Sequence, residues 1–256
     1  GASRKLLGTI NDILDFSKIE SGKMELVNAE YSLHSMVRGV VNIITYRLEQ
    51  KPVKLVWNVD NEIPNVLYGD EIRIRQVLIN LLNNAVKFTS EGEIRLSVSA
   101  KKTEDGVCLL FEVADTGCGI RKEDLARLFD SFERVENQGL HKIEGTGLGL
   151  SICKTMVEMM DGQILVESEY GKGSEFSFEI VQKVVDTTPI GDFKEKTSYS
   201  AQESGQTKEF TAPDAKVLVV DDNWMNLKVM EGFGEKSCQN MEKAIEKSRN
   251  IHPVNL

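Results

Sequence analysis

The sequence predicts a two-layer α/β sandwich, a mixed sheet with helices on one face. Three stretches carry that prediction. Residues 93–100 alternate with the period of a half-buried strand: Ile94, Leu96, Val98 and Ala100 point one way, Glu93, Arg95, Ser97 and Ser99 the other. Residues 163–168 and 174–184 read as a hairpin around Gly171, Lys172 and Gly173. Residues 73–89, RIRQVLINLLNNAVKFT, repeat at helical spacing, with Ile74, Leu78, Leu81, Leu82 and Ala85 on one side. A sheet with one apolar face and helices with one apolar stripe each need the other.

The remaining elements follow in order. Residues 2–22 form an amphipathic helix through Leu6, Leu7, Ile10, Ile13, Leu14 and Ile19, stopped at Gly22. It is too short to stand alone, so its stripe calls for a partner helix from this chain or a second copy. Residues 32–50 make a second helix with Leu33, Met36, Val37, Val40, Val41, Ile44 and Leu48 inward, ended by Pro52. Residues 53–59 are a strand and 61–70 a loop. The turn signal Glu104-Asp105-Gly106 joins the 93–100 strand to a strand over 107–114. A short helix is expected over 122–132, and another over 148–160, stopped by Gly162. Residues 186–212, rich in Thr, Ser, Gly, Lys and Glu, read as a flexible linker. After it, the apolar run 217–220 ending in Asp221, Asp222 and Asn223 has the pattern of a buried parallel strand.

Composition narrows the function. The net charge is −9 and hydrophobic residues make up 41% of the 256-residue chain. An acidic surface argues against nucleic acid or anionic membrane as the main partner. No apolar run approaches the ~20 residues of a spanning helix, and no signal peptide opens the chain. The first residue is Gly1 rather than Met, so a fragment or a cloning scar is expected. Cys108, Cys118, Cys153 and Cys238 form no CxxC pair, so inert thiols in a reducing, cytoplasmic setting are expected.

Four constellations carry chemistry. On the 73–89 helix, Arg73, Gln76, Asn80, Asn84 and Lys87 share one stripe roughly 80° wide. Asn is a poor helix former, yet Asn80 and Asn84 sit one turn apart on that face. Amide carbonyls ligate hard cations, and a lysine one turn on meets a phosphate as a point charge. A solvated face with incidental Asn fits the helix equally. Second, Asp115, Gly117, Gly119 and Ile120 follow a strand. A carboxylate there can accept from an exocyclic amine while the glycines let a flat ring approach; a plain glycine turn is the other reading. Third, Gly145, Thr146, Gly147, Leu148, Gly149 and Leu150 open a helix, whose free N–H groups suit phosphate. Neither a dinucleotide βαβ unit nor a P-loop accompanies them. Fourth, the segment between, with Leu128, Phe129 and Phe132, has the composition of a mobile lid or of an ordinary surface loop.

These boxes occur in one order, closed by Gly171-Lys172-Gly173-Ser174, and that order resembles the ATP-binding catalytic domain of sensor histidine kinases, a branch of the Bergerat-fold ATPases. The resemblance covers about residues 31–185. It implies ATP and Mg²⁺ as ligands. Asn84 would hold magnesium with Asn80 assisting, and Lys87 would contact phosphate. Asp115 would bind the adenine amino group, with Gly117, Gly119 and Ile120 around the ring. Phe129 and Phe132 would form the base of the ATP lid. Gly145, Thr146, Gly147 and Gly149 would let the lid fold over the triphosphate, Leu148 and Leu150 would anchor the helix, and Ser174 would be the small hydroxyl residue near adenine.

The resemblance extends outward. Residues 14–22, LDFSKIESG, look like the end of the second helix of the dimerisation and phosphoacceptor hairpin, placing part of that hairpin at 1–24 and the catalytic domain at 30–185. The intact protein would be a homodimer through that hairpin. The first hairpin helix and its histidine box are missing: His34, His141 and His252 have none of that context. Residues 213–256 look like the truncated opening of a receiver domain in a hybrid kinase, with Asp221 and Asp222 as its acidic metal pocket. A response regulator or receiver domain is the implied partner, and phosphoryl transfer from ATP to a histidine, then an aspartate, the implied activity. One alternative is a different Bergerat ATPase, which would hydrolyse ATP with a glutamate where this chain has Asn80. The other is a non-catalytic nucleotide-binding or dimerisation module.

Overall fold

The computed structural model describes residues 2–49, 51–131 and 147–193, with the side chains of 2–8 and 11–12 outside the description. Twelve elements are described. They are α1 (Ala2–Glu20), β1 (Ala29–Ser32), α2 (Leu33–Leu48), β2 (Val53–Val59), β3 (Pro64–Gly69), α3 (Glu71–Phe88), β4 (Gly92–Lys102), β5 (Val107–Asp115), α4 (Lys122–Leu125), α5 (Gly149–Met159), β6 (Gln163–Glu169) and β7 (Gly173–Pro189). Short polar side chains start the two long covering helices. Ser32 Oγ accepts from the Ser35 N–H at 3.2 Å and caps α2. Asp70 Oδ1 accepts from the Arg73 N–H at 3.1 Å and caps α3, while its Oδ2 takes the Val27 N–H at 2.9 Å.

The strands form one seven-stranded mixed sheet in the order β1-β3-β7-β5-β4-β2, with β6 also on β7. β2 runs parallel to β4; the other described pairs are antiparallel. The predicted alternation holds in β4, where Ile94, Leu96 and Val98 are buried. Val107, Leu109, Phe111 and Val113 repeat it on β5, and Phe176, Phe178 and Ile180 on β7. Phe111 and Phe178, register partners, stack with centroids 4.7 Å apart. The apolar stripes of α2, α3 and α5 join the same core. The fold is the expected α/β sandwich.

Three departures from the expected elements share a cause. Residues 61–70 contain the strand β3 rather than a loop, β1 had no sequence signal, and β7 continues through Asp186–Pro189 where a linker was expected to begin. Leu67 pairs with Val184, Val66 with Asp186 and Pro64 with Pro189, through an irregular register. Each strand exists because the other is there. The chain after β7 also belongs to the core: Ile190 and Phe193 are buried, and the Phe193 ring meets the His34 ring edge-on at 5.0 Å. This packing accounts for His34; His141 and His252 lie outside the described residues. The expected 122–132 helix is only the single turn of α4.

α1 docks on this chain along one side. Phe16 and Ile19 pack on the core, and Asp15 accepts from Gln76 Nε2 at 2.7 Å, with Arg73 Nη1 3.8 Å away. Ile10, Ile13 and Leu14 stay exposed. No helix among the described residues is long and apolar enough to cross a membrane.

Candidate functional site

The polar stripe of α3 divides between two tasks. Its first half, Arg73 and Gln76, faces Asp15 of α1. Its second half, Asn80, Asn84 and Lys87, is half-buried. Asn83, the third asparagine of the run, points elsewhere and accepts from Arg47 at the end of α2.

The C-terminus of α3 is held from two sides. Lys51 Nζ donates to the carbonyls of Val86 and, at 3.2 Å, Thr89, a cation at the negative end of the helix. The Thr89 N–H closes the helix on the Ala85 carbonyl at 3.0 Å, and the Phe88 carbonyl accepts from the Cys118 N–H at 3.4 Å. That last bond ties the helix end to the loop after β5. Lys87 Nζ lies 4.9 Å from the centre of the Phe88 ring.

Asp115 ends β5, between Ile94 on β4 and Ser174 on β7. Its Oδ1 accepts from the Gly117 N–H at 2.8 Å. The Ser174 backbone and the Thr89 hydroxyl also lie against the carboxyl. Burial pushes this carboxyl above the usual carboxylate value, and the backbone hydrogen bonds from Gly117 and Ser174, with the nearby Thr89 hydroxyl, oppose the shift. Two glycines are sterically required here. A Cβ on Gly117 would stand 2.5 Å from the Phe88 carbonyl oxygen and 2.7 Å from Asp115 Oδ1. A Cβ on Gly173, whose φ is +125°, would stand 1.9 Å from the Asp115 carbonyl oxygen.

The loop continues through Gly119 to Ile120, whose N–H donates to Ser168 Oγ at 2.8 Å. Ser168 in turn donates to the Gly173 carbonyl at 2.9 Å and lies 3.0 Å from the Ser174 hydroxyl. Ile120, Leu128, Phe129 and Leu150 pack partly buried on the core. Gly147 has φ +74°, Leu148 is buried, and Gly149 opens α5 with no side-chain cap. Leu148, the N-cap residue, makes no side-chain capping bond to the first-turn N–H groups of α5. Phe132, Gly145, Thr146, Asp221 and Asp222 lie outside the described residues.

The structure ties the C-terminal end of α3, at Phe88 and Thr89, to the loop after β5. Asn84 precedes Thr89 by five residues, about 7.5 Å along the helix, and Thr89 touches Asp115. A half-buried acceptor, glycine-lined backbone and a row of amide and ammonium groups suit a flat amine-bearing ring joined to an anion. Among the described residues, no three His, Cys, Asp or Glu side chains gather as a metal site. A hard cation here would therefore draw on asparagine oxygen and on oxygens of its own anion. Three residues were missed from sequence. Thr89 stood inside the helix motif but was read only as its end. Ser168 is an ordinary strand position, and Lys51 precedes a proline; neither carries a local signal.

Comparison with known proteins places these features. Residues 69–184 match the family described as histidine kinase-, DNA gyrase B-, and HSP90-like ATPase. The chain is 41% identical over 184 residues to hybrid signal transduction histidine kinase B of Dictyostelium discoideum, covering 72% of this chain and 9% of that protein. It is 34% identical over 231 residues to the autoinducer 2 sensor kinase/phosphatase LuxQ of Vibrio cholerae, covering 90% of this chain and 26% of that one. Among solved structures, full-length ShkA in complex with AMPPNP matches with a TM-score of 0.61 at 33% identity, over 71% of this chain and 37% of that chain. The histidine kinase AdeS of Acinetobacter baumannii shares the fold, with a TM-score of 0.55 at 23% identity, over 70% of this chain and 79% of that one. The chain spans about a quarter or less of the length of these two curated relatives.

Proposed function

The chain belongs to the sensor histidine kinase branch of the histidine kinase-, gyrase B- and HSP90-like ATPases, and from that premise we propose that residues 30–185 bind Mg-ATP and position its γ-phosphoryl group for transfer to a histidine. The observation that carries this reading is the tie between the end of α3, at Phe88 and Thr89, and the loop that follows Asp115. Asp115 accepts from the adenine amino group, a hydrogen bond to an ionised acceptor in a desolvated site. Gly117, Gly119 and Ile120 give the ring room, and Ser174 stands beside the acid. Asn84, with Asn80 one turn before it, presents oxygen to the metal, and Lys87 meets the phosphates. The start of α5 adds N–H groups behind Leu148. Magnesium, when bound, supplies charge neutralisation of the triphosphate. The protein's own contribution is orientation and exclusion of water.

The residues fit transfer to a protein histidine better than hydrolysis. Asn80 stands where a hydrolytic relative has its water-activating glutamate. The accepting histidine would belong to the hairpin of which residues 1–24 are a part. In the intact protein that hairpin would build a homodimer, and a receiver or response-regulator aspartate would take the phosphoryl group onward. Isothermal titration of Mg-ATP tests the reading. Asn84→Ala is expected to raise Kd at least tenfold in the presence of Mg²⁺ and to remove most of the Mg²⁺ dependence. Unchanged affinity and Mg²⁺ dependence would refute the site.

A further inference from the structure

The end of α3 places a hydroxyl against the candidate base-recognising acid. Thr89 is fully buried and its Oγ1 closes no hydrogen bond among the described residues; the preceding Phe88 carbonyl oxygen and Asp115 Oδ1 stand 2.5 Å and 2.7 Å from one point, the Cβ position of Gly117, so the residue sits beside that carboxyl. Buried hydroxyls are ordinarily satisfied, because an enclosed one that bonds nothing has given up water for no return. Valine would fill the same volume and match the apolar core around it. The backbone holds the side chain in place: the Thr89 N–H is bonded to Ala85, and its carbonyl to Lys51. A β-branched side chain on so fixed a backbone has little rotamer freedom. The hydroxyl is therefore aimed rather than incidental.

We propose that Thr89 is a positioning and specificity residue for the purine: its hydroxyl holds the Asp115 carboxylate in the orientation that accepts from an exocyclic amine, favouring adenine over a base with a carbonyl at that position. The inference rests on the nucleotide reading given above and deepens it. Thr89 also ends the helix that carries Asn84 and Lys87, so one element sets both the base and the phosphate side. A hydroxyl donor favours the charged acid, against the burial that disfavours it. The charged residues next to this corner include Lys51, Lys87 at the end of α3, Glu93 and Arg95 on either side of Ile94 on β4, and Glu175 after Ser174 on β7. Burial and the three donors, rather than these charges, set the state of Asp115.

The test uses the full chain and calorimetric titration with Mg-ATP and Mg-GTP between about pH 5 and about pH 8. Thr89→Val should weaken ATP about tenfold while changing GTP less than about twofold. It should also move the acid fall-off of ATP affinity to higher pH. Thr89→Ser should restore all three properties. If Thr89→Val fails to fold by circular dichroism, Thr89→Ala removes the same hydroxyl and takes its place. Wild-type ATP affinity and pH profile in the hydroxyl-free variant would overturn the proposal. So would a serine variant as defective as valine, which would assign the loss to packing of the methyl group. Asp115→Ala separates the two levels. If it leaves ATP affinity intact, the nucleotide site itself is misplaced. If it abolishes binding while the hydroxyl-free variant binds normally, the role of Thr89 alone is refuted.

Discussion

Gly171 and Gly173 lie two residues apart in one turn and make a paired experiment. Both have positive φ, +86° and +125°. An added methyl on Gly171 meets nothing within 4 Å, whereas one on Gly173 stands 1.9 Å from the Asp115 carbonyl oxygen and 3.0 Å from Thr116 Cα. Gly171→Ala therefore carries only the backbone cost of a left-handed alanine, about 1 kcal/mol. Gly173→Ala adds the cost of forcing two paired strands apart, about 2 kcal/mol more. For a domain of this size, 1 kcal/mol corresponds to about 3 °C. The expected falls in melting temperature are about 3 °C and about 10 °C. Because the displaced strand carries Asp115, Gly173→Ala should also weaken Mg-ATP by about tenfold or more, the worth of one hydrogen bond to a charged acceptor. Gly171→Ala should leave affinity within about twofold of wild type. Scanning calorimetry and titration read both quantities. Equal melting temperatures for the two variants would refute the steric reasoning, and an intact ATP affinity in Gly173→Ala would detach the strand pairing from the site.

Two further substitutions probe the ends of the same contact. Folding raises the proton affinity of Asp115, since burial outweighs its hydrogen bonds. Its stabilising contribution is thus complete below the unfolded-state value, about 3.9, and is lost as pH rises through the higher folded-state value. Asp115→Asn should therefore melt higher than wild type near neutral pH, with the gap closing as pH falls toward about 4, while losing affinity for ATP. Thermal melts across that range check it, and a gap independent of pH would contradict the sign. Lys51→Met removes the cation from the end of α3. It should cost about 1 kcal/mol and speed amide exchange at residues 86–89. Unchanged exchange there would show that Lys51 does not hold the helix end.

The strongly periodic parts of the fold were legible locally. The 93–100 alternation became β4, and the stripe of 73–89 became α3 with Ile74, Leu78, Leu81, Leu82 and Ala85 buried as expected. Alternation and helical spacing are properties of a few consecutive residues, and burial of one face is enough to enforce them. The parts that were not legible are non-local. β3 has no clean alternation and opens on Pro64, and residues 186–189 have the composition of a linker. They become strands because each completes the hydrogen bonds of the other.

The sequence by itself determined which chemistry this chain carries: amides on one helical stripe, an acid followed by glycines, and a glycine-rich helix start, in a family-specific order. The tertiary structure decided which of these groups meet. It gave half of the α3 stripe to Asp15 of α1, turned Asn83 away toward Arg47, and set the Thr89 hydroxyl on Asp115. The physical reason is that residue type and spacing fix what a side chain can bond and which face of its own element it occupies. Only the packing of distant elements fixes what lies opposite it, and burial then sets the strength of the contact.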